Sequence, residues 1–177
     1  MVYETVVLGD VKVKNQVVGL AEVVDIELLD DVKWDGILGL AYPNPALSSK
    51  GITPIFDTII KSGVLTSRHL SNQFAYYIDD RKGAVTFGGA DCDLIKTGDK
   101  KACIDKFLFV PVTEQTYWTI TIKDVRIKYP DQPEKSGFCP VGGCKAIVDT
   151  GTYLIYGPQS MPCALFLFVC SHTDQVK

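Results

Sequence analysis

Apolar, β-branched and aromatic residues fall in short runs along this chain, separated by polar or glycine-bearing breaks of a few positions. Val2 to Gly9 alternates as a strand does. Val17 to Val24, Phe74 to Ile78, Ala84 to Phe87, Phe107 to Val112, Tyr117 to Ile127 and Ala146 to Val148 also read as strands. Within them, Thr119-Ile120-Thr121-Ile122 alternates as expected for a strand with one buried face. Gly9-Asp10, Asp79 to Gly83, Gly88-Gly89 and Pro130-Asp131 supply turn chemistry between the runs. The period changes clearly once. Ile55, Phe56, Ile59 and Ile60 share one helical face, with Thr53 placed as N-cap, Pro54 at the first helical position and Gly63 at the C-terminal cap. A helix is predicted from Pro54 to Ser62. A second is expected to begin near Pro158, its length obscured by Pro162 and the apolar run Ala164 to Val169. The expectation is a mostly-β chain with one or two short helices.

Composition narrows the function classes. The chain has 177 residues, 46% hydrophobic and 22% charged, which suits a domain with a real core rather than disorder. Its net charge of -3 is spread without a basic patch, so nucleic acid is not an expected partner. The run Ala164 to Val169 is too short to span a membrane. No signal peptide is expected at Met1, because Val2 to Gly9 already alternates like a strand. Neither His69 nor His172 stands near a Cys pair at ligand spacing, so no metal or other cofactor is expected. Six cysteines lean towards an oxidising compartment. Cys139 and Cys144 are close enough to close a small loop through Pro140, Gly142 and Gly143, while Cys92, Cys103, Cys163 and Cys170 read as packing residues.

The candidate chemistry lies in Ala146-Ile147-Val148-Asp149-Thr150-Gly151-Thr152. A carboxylate follows three apolar residues and precedes Thr-Gly-Thr, which reads as a strand running into a tight turn with Asp149 at its tip, beside a cleft. Gly151 permits close backbone approach and the threonine hydroxyls can bond locally. Such a carboxylate is useful when a second stands beside it, one ionised and the other protonated. The Asp-Thr-Gly triplet occurs once; Asp57-Thr58 is followed by Ile59 and lies in the helical pattern. A Ser-His-Asp hydrolase is disfavoured, since there is no Gly-x-Ser-x-Gly segment and neither histidine has a suitable context.

Several segments in order resemble the pepsin-like aspartic proteases. They are Asp35-Gly36-Ile37-Leu38-Gly39-Leu40-Ala41-Tyr42-Pro43, then Thr53-Pro54-Ile55-Phe56-Asp57, then Gly83-Ala84-Val85-Thr86-Phe87-Gly88-Gly89-Ala90-Asp91. Val110-Pro111-Val112, Tyr117-Trp118, Cys139 to Cys144 and Ala146 to Thr152 follow. The resemblance runs from about Val2 to Pro158, and Met161 to Lys177 matches no segment of that pattern. It implies a pepsin-like fold of double-psi β-barrel lobes, here incomplete. Residues 1-130 would be the later part of the first lobe with inter-lobe strands, and 131-177 the start of the second. Ile37-Leu38-Gly39 would be the strand that crosses behind the first lobe's active turn.

The resemblance also assigns roles. Asp149 would be catalytic, supported by Thr150, Gly151 and Thr152. Trp34, Ile37 and Tyr117 would contact a polypeptide substrate, although each also suits an ordinary core position. Tyr153 and Tyr156 stand where the family has smaller or hydroxyl-bearing residues. Cys139 and Cys144 would form a disulfide. The implied activity is aspartic-type endopeptidase, with the chain inactive alone for want of a first catalytic Asp and a flap. The alternative is a non-catalytic, aspartic-protease-like binding module. The implied setting is the secretory pathway, in an acidic lysosome- or vacuole-like compartment or outside the cell. The remainder of the parent protease is an expected partner.

Overall fold

A computed structural model describes residues 1–23, 34–94, 107–128, 133–152 and 154–157. The chain divides into two compact units, Met1–Leu108 and Phe109–Lys177. Strands predominate over helix, in agreement with the pattern of short apolar runs.

The first unit opens with an antiparallel hairpin of β1 (Val2–Leu8) and β2 (Val11–Val18), joined through Gly9 and Asp10. Val11 and Val13 are buried while Lys12 and Lys14 are exposed, the two-residue period of a half-buried strand. That polar alternation weakens the strand signal of β2 beside the more apolar run that begins at Val17, and β2 ends at Val18. Residue 24, the far end of that run, lies outside the described residues. A short helix α1 (Pro45–Ser48) follows, with the Asn44 side chain accepting from the Ala46 amide at 2.9 Å and Pro45 opening the helix.

Helix α2 (Ile55–Ser62) buries Ile55, Phe56 and Ile59 and closes on Gly63 in the left-handed region. It starts one residue later than its cap chemistry implied. Pro54 is itself the cap, with ψ 148, and its carbonyl accepts from the Thr58 amide at 3.1 Å. The carbonyl of Thr53 accepts instead from the side-chain amide of buried Gln16 at 2.9 Å, which ties the start of α2 to β2. Strands β3 (Phe74–Ile78) and β4 (Gly83–Phe87) form a second antiparallel hairpin, with Phe74 opposite Phe87. Phe56 meets Phe74 edge-on, ring centres 4.9 Å apart. With Val11, Val13, Leu40 and Leu65 these side chains make the core of this unit.

Two expected strands are absent. Residues 34–40, which include Ile37-Leu38-Gly39, carry no strand, and Ile37 is 87% exposed. Residues 107–112 carry none either; Pro111 removes a ladder donor from the middle of that run. The second helix expected near Pro158 lies outside the described residues.

Ile59 has no exposed surface. Ile59→Ala is expected to lower unfolding free energy by about 2–5 kcal/mol in urea titrations, since the lost methyl groups leave a cavity among aromatic and branched neighbours. A loss below about 0.5 kcal/mol would show that this helix face is not the core.

Candidate active site

Three antiparallel strands build the second unit's sheet, in the order β5 (Glu114–Gln115), β6 (Trp118–Ile122) and β7 (Cys144–Ile147). The apolar run from Tyr117 thus yields a strand only as far as Ile122; Ile127 returns to pairing as a lone bridge to Lys135. In β6 the buried position is Thr119, at 3% exposure, and not an isoleucine. The β6–β7 register pairs Thr119 with Ile147, Ile120 with Ala146, Thr121 with Lys145 and Ile122 with Cys144. One further bond, from the Val148 amide to the Trp118 carbonyl at 3.0 Å, carries the pairing to the residue before Asp149. Lys145 on β7 forms an ion pair with Glu114 on β5.

The start of β7 is equally constrained. Cys139 and Cys144 are joined by a disulfide, their Cα atoms 5.2 Å apart. Inside that loop the Gly143 amide donates to the Pro140 carbonyl at 2.9 Å. Gly143 has φ +94, and a Cβ there would lie 2.5 Å from the Ile122 carbonyl oxygen, so only glycine fits.

Asp149 follows β7 by two residues, a strand-end position as expected. Its Oδ1 accepts from the Gly151 amide at 2.9 Å and its Oδ2 from the Thr152 hydroxyl at 2.6 Å. A Cβ on Gly151 would stand 3.2 Å from Oδ1, which crowds the carboxylate; that is the physical content of a glycine here. The Thr152 hydroxyl first, and the Gly151 amide second, hold the Asp149 carboxyl below its ordinary pKa, against a weak opposing effect of burial. The group is exposed, with one donor on each oxygen. One cavity among the described residues, about 250 Å³ with Lys14, Gln16, Thr58 and Lys61 among its walls, is lined by first-unit residues.

Thr150, Gly151 and Thr152 are therefore gathered around Asp149, although only the last two contact its carboxylate in the bonds above. Tyr117 lies at the β5–β6 turn of the same unit and is 51% exposed. Trp34 and Ile37 belong to the first unit and are also exposed. Tyr153 lies outside the described residues. Cys92 is disulfide-bonded, which corrects its reading as a packing residue. Asp124, an acceptor for three successive amides, had no sequence signal beyond an acidic residue after a strand. Among the described residues no helix is long and apolar enough to cross a membrane.

The eukaryotic aspartyl protease family model matches residues 1–175, beyond Pro158, where the motif resemblance stopped. The chain is similar to plasmepsin VII of Plasmodium falciparum, 36% identical over 171 residues that cover 89% of this chain and 37% of that protein. It is similar to pepsin A of Sus scrofa, 37% identical over 158 residues, covering 89% and 37% respectively. With gastricsin of Macaca fuscata fuscata the identity is 36% over 177 residues, 98% of this chain and 42% of that protein. The chain thus spans well under half the length of each of these relatives.

Because the folded pKa of Asp149 is depressed, the turn's stabilisation is complete above the ordinary carboxylate pKa and is lost as pH falls through the folded value. Thr152→Val keeps the shape and removes the larger of the two donors. The Asp149 titration midpoint, followed by carboxyl carbon NMR, is expected to rise towards that of an unperturbed aspartate. An unchanged midpoint would show that the hydroxyl does not hold the carboxylate.

Proposed function

The chain belongs to the eukaryotic aspartyl protease family, and on that footing we propose that it supplies one of the two carboxylates of an aspartic-type endopeptidase. The observation that carries this reading is the Asp149 turn: a carboxylate at a strand end, each oxygen met by a donor from the next three residues. In the proposed reaction one ionised carboxylate takes a proton from water while a protonated partner polarises the scissile carbonyl. The lowered pKa of Asp149 suits the ionised role. The protonated partner must be a second carboxyl group in the parent protein, because these 177 residues hold a single Asp-Thr-Gly.

Trp34, Ile37 and Tyr117 are proposed to contact the polypeptide substrate. In this chain they are 49%, 87% and 51% exposed. Residues 1–130 are proposed as the later first lobe with inter-lobe strands, and 131–177 as the start of the second lobe. A site in the secretory pathway, acidic or extracellular, accords with the Cys139–Cys144 disulfide and with bonded Cys92. The remainder of the parent protease is the proposed partner.

The test uses the full reading frame and this chain side by side, on an unstructured protein substrate at acid pH. The parent is expected to cleave in a pepstatin-sensitive way, and Asp149→Asn to reduce its rate by at least about a thousandfold. This chain alone is expected not to cleave, since one carboxylate cannot serve as both acid and base. Cleavage by the parent that survives Asp149→Asn would refute the assignment. A parent that binds peptide without cleaving it would favour the binding-module reading.

A further inference from the structure

Asp124 stands two residues beyond the end of β6, and its carboxylate is surrounded by main-chain donors. Oδ2 accepts from the Gly137 amide at 2.6 Å; Oδ1 accepts from the Phe138 amide at 2.9 Å and the Cys139 amide at 3.1 Å. Gly137 adopts φ +83, and three successive amides point at one carboxylate. Such an arrangement is an anion-binding nest, here filled from within the chain. The Ile127–Lys135 bridge, with both amides bonded at 2.8 Å, brings the returning segment alongside so that 137–139 can reach Asp124.

The segment that Asp124 holds is the one that leads to Asp149. Cys139, the third donor, is bonded to Cys144, the first residue of β7. Cys144 lies opposite Ile122, the last residue of β6. β7 is thus anchored at its start twice, by its ladder to β6 and by a disulfide whose far half rests on the Asp124 carboxylate. Bonds from amides to an ionised carboxylate are roughly twice as strong as neutral ones.

We propose that Asp124 is a positioning residue for the Asp149 turn: its carboxylate fills the nest of residues 137–139 and, through the disulfide, fixes the strand that presents Asp149. Asp124 touches no reacting atom in this scheme. The inference rests on the reading of Asp149 as catalytic only for its consequence, and its test needs no activity, so the two can fail separately.

The experiment is NMR on the intact chain, recording amide exchange and carboxyl titrations in the wild type, Asp124→Ala and Asp124→Asn. In the wild type the Gly137, Phe138 and Cys139 amides are expected to exchange slowly. In either variant they are expected to exchange at least roughly tenfold faster, with the Val148 amide following. The Asp149 midpoint is expected to rise as its turn loosens. The sign is decisive, because losing the negative charge of Asp124 without loosening the turn would lower that midpoint or leave it unchanged. Asp79, held below its ordinary pKa by the Arg81 amide, the Tyr77 hydroxyl and the Lys82 amide, is the internal control and is expected not to move. An Asp149 midpoint that falls or stays put, or wild-type amides at 137–139 that exchange freely, would overturn the proposal. The isosteric Asn variant and the wild-type exchange rates keep the test valid should Asp124→Ala not fold.

Discussion

The pairing of β7 on β6 is the constraint on which the second unit depends. Ile122 opposite Cys144 sets the register, and every later residue inherits its face from that choice. A slip of one residue would invert the strand and carry Asp149 with it. The chain guards this register with several independent devices. Gly143 allows the backbone to pass close to the Ile122 carbonyl, the disulfide closes the loop behind it, and the Lys145–Glu114 pair crosses the sheet. The ion pair, being exposed, contributes little energy by itself. The steric and covalent constraints carry most of the weight.

What the register delivers is a carboxylate with restricted freedom. Asp149 is exposed, so its charge is not set by burial; it is set by two short-range bonds within its own turn. The first unit, by contrast, is held by a small apolar core in which α2 packs its buried face against β2 and the Phe74–Phe87 pair.

Much of this was legible in the sequence where local chemistry decides. The α2 stripe, the Phe74 and Ala84 runs, the Cys139–Cys144 pairing and the Asp149 turn all follow from residues close together in the chain. Misreadings arose where polarity and burial part company. β2 carries Lys12, Lys14 and Asn15 on exposed positions and the polar Gln16 on a buried one, so its apolar signal is weak. The run 107–112 is apolar yet carries no strand and has Leu108 90% exposed. Pro54 took the cap position from Thr53 because its backbone is extended, and α1 was signalled only by Asn44-Pro45. Asp124 was invisible because its partners lie 13 to 15 residues away, across a return that only the fold brings about.

The Asp149 carboxylate is held by its own turn. The most direct measurement is the Gly151 amide proton shift followed by NMR across an acid titration. An amide bonded to a carboxylate reports that carboxylate's protonation. The account predicts a large shift of the Gly151 proton whose midpoint coincides with that of Asp149 and lies below the ordinary aspartate value. A Gly151 amide that does not respond to pH, or that responds at the ordinary aspartate midpoint, would contradict it.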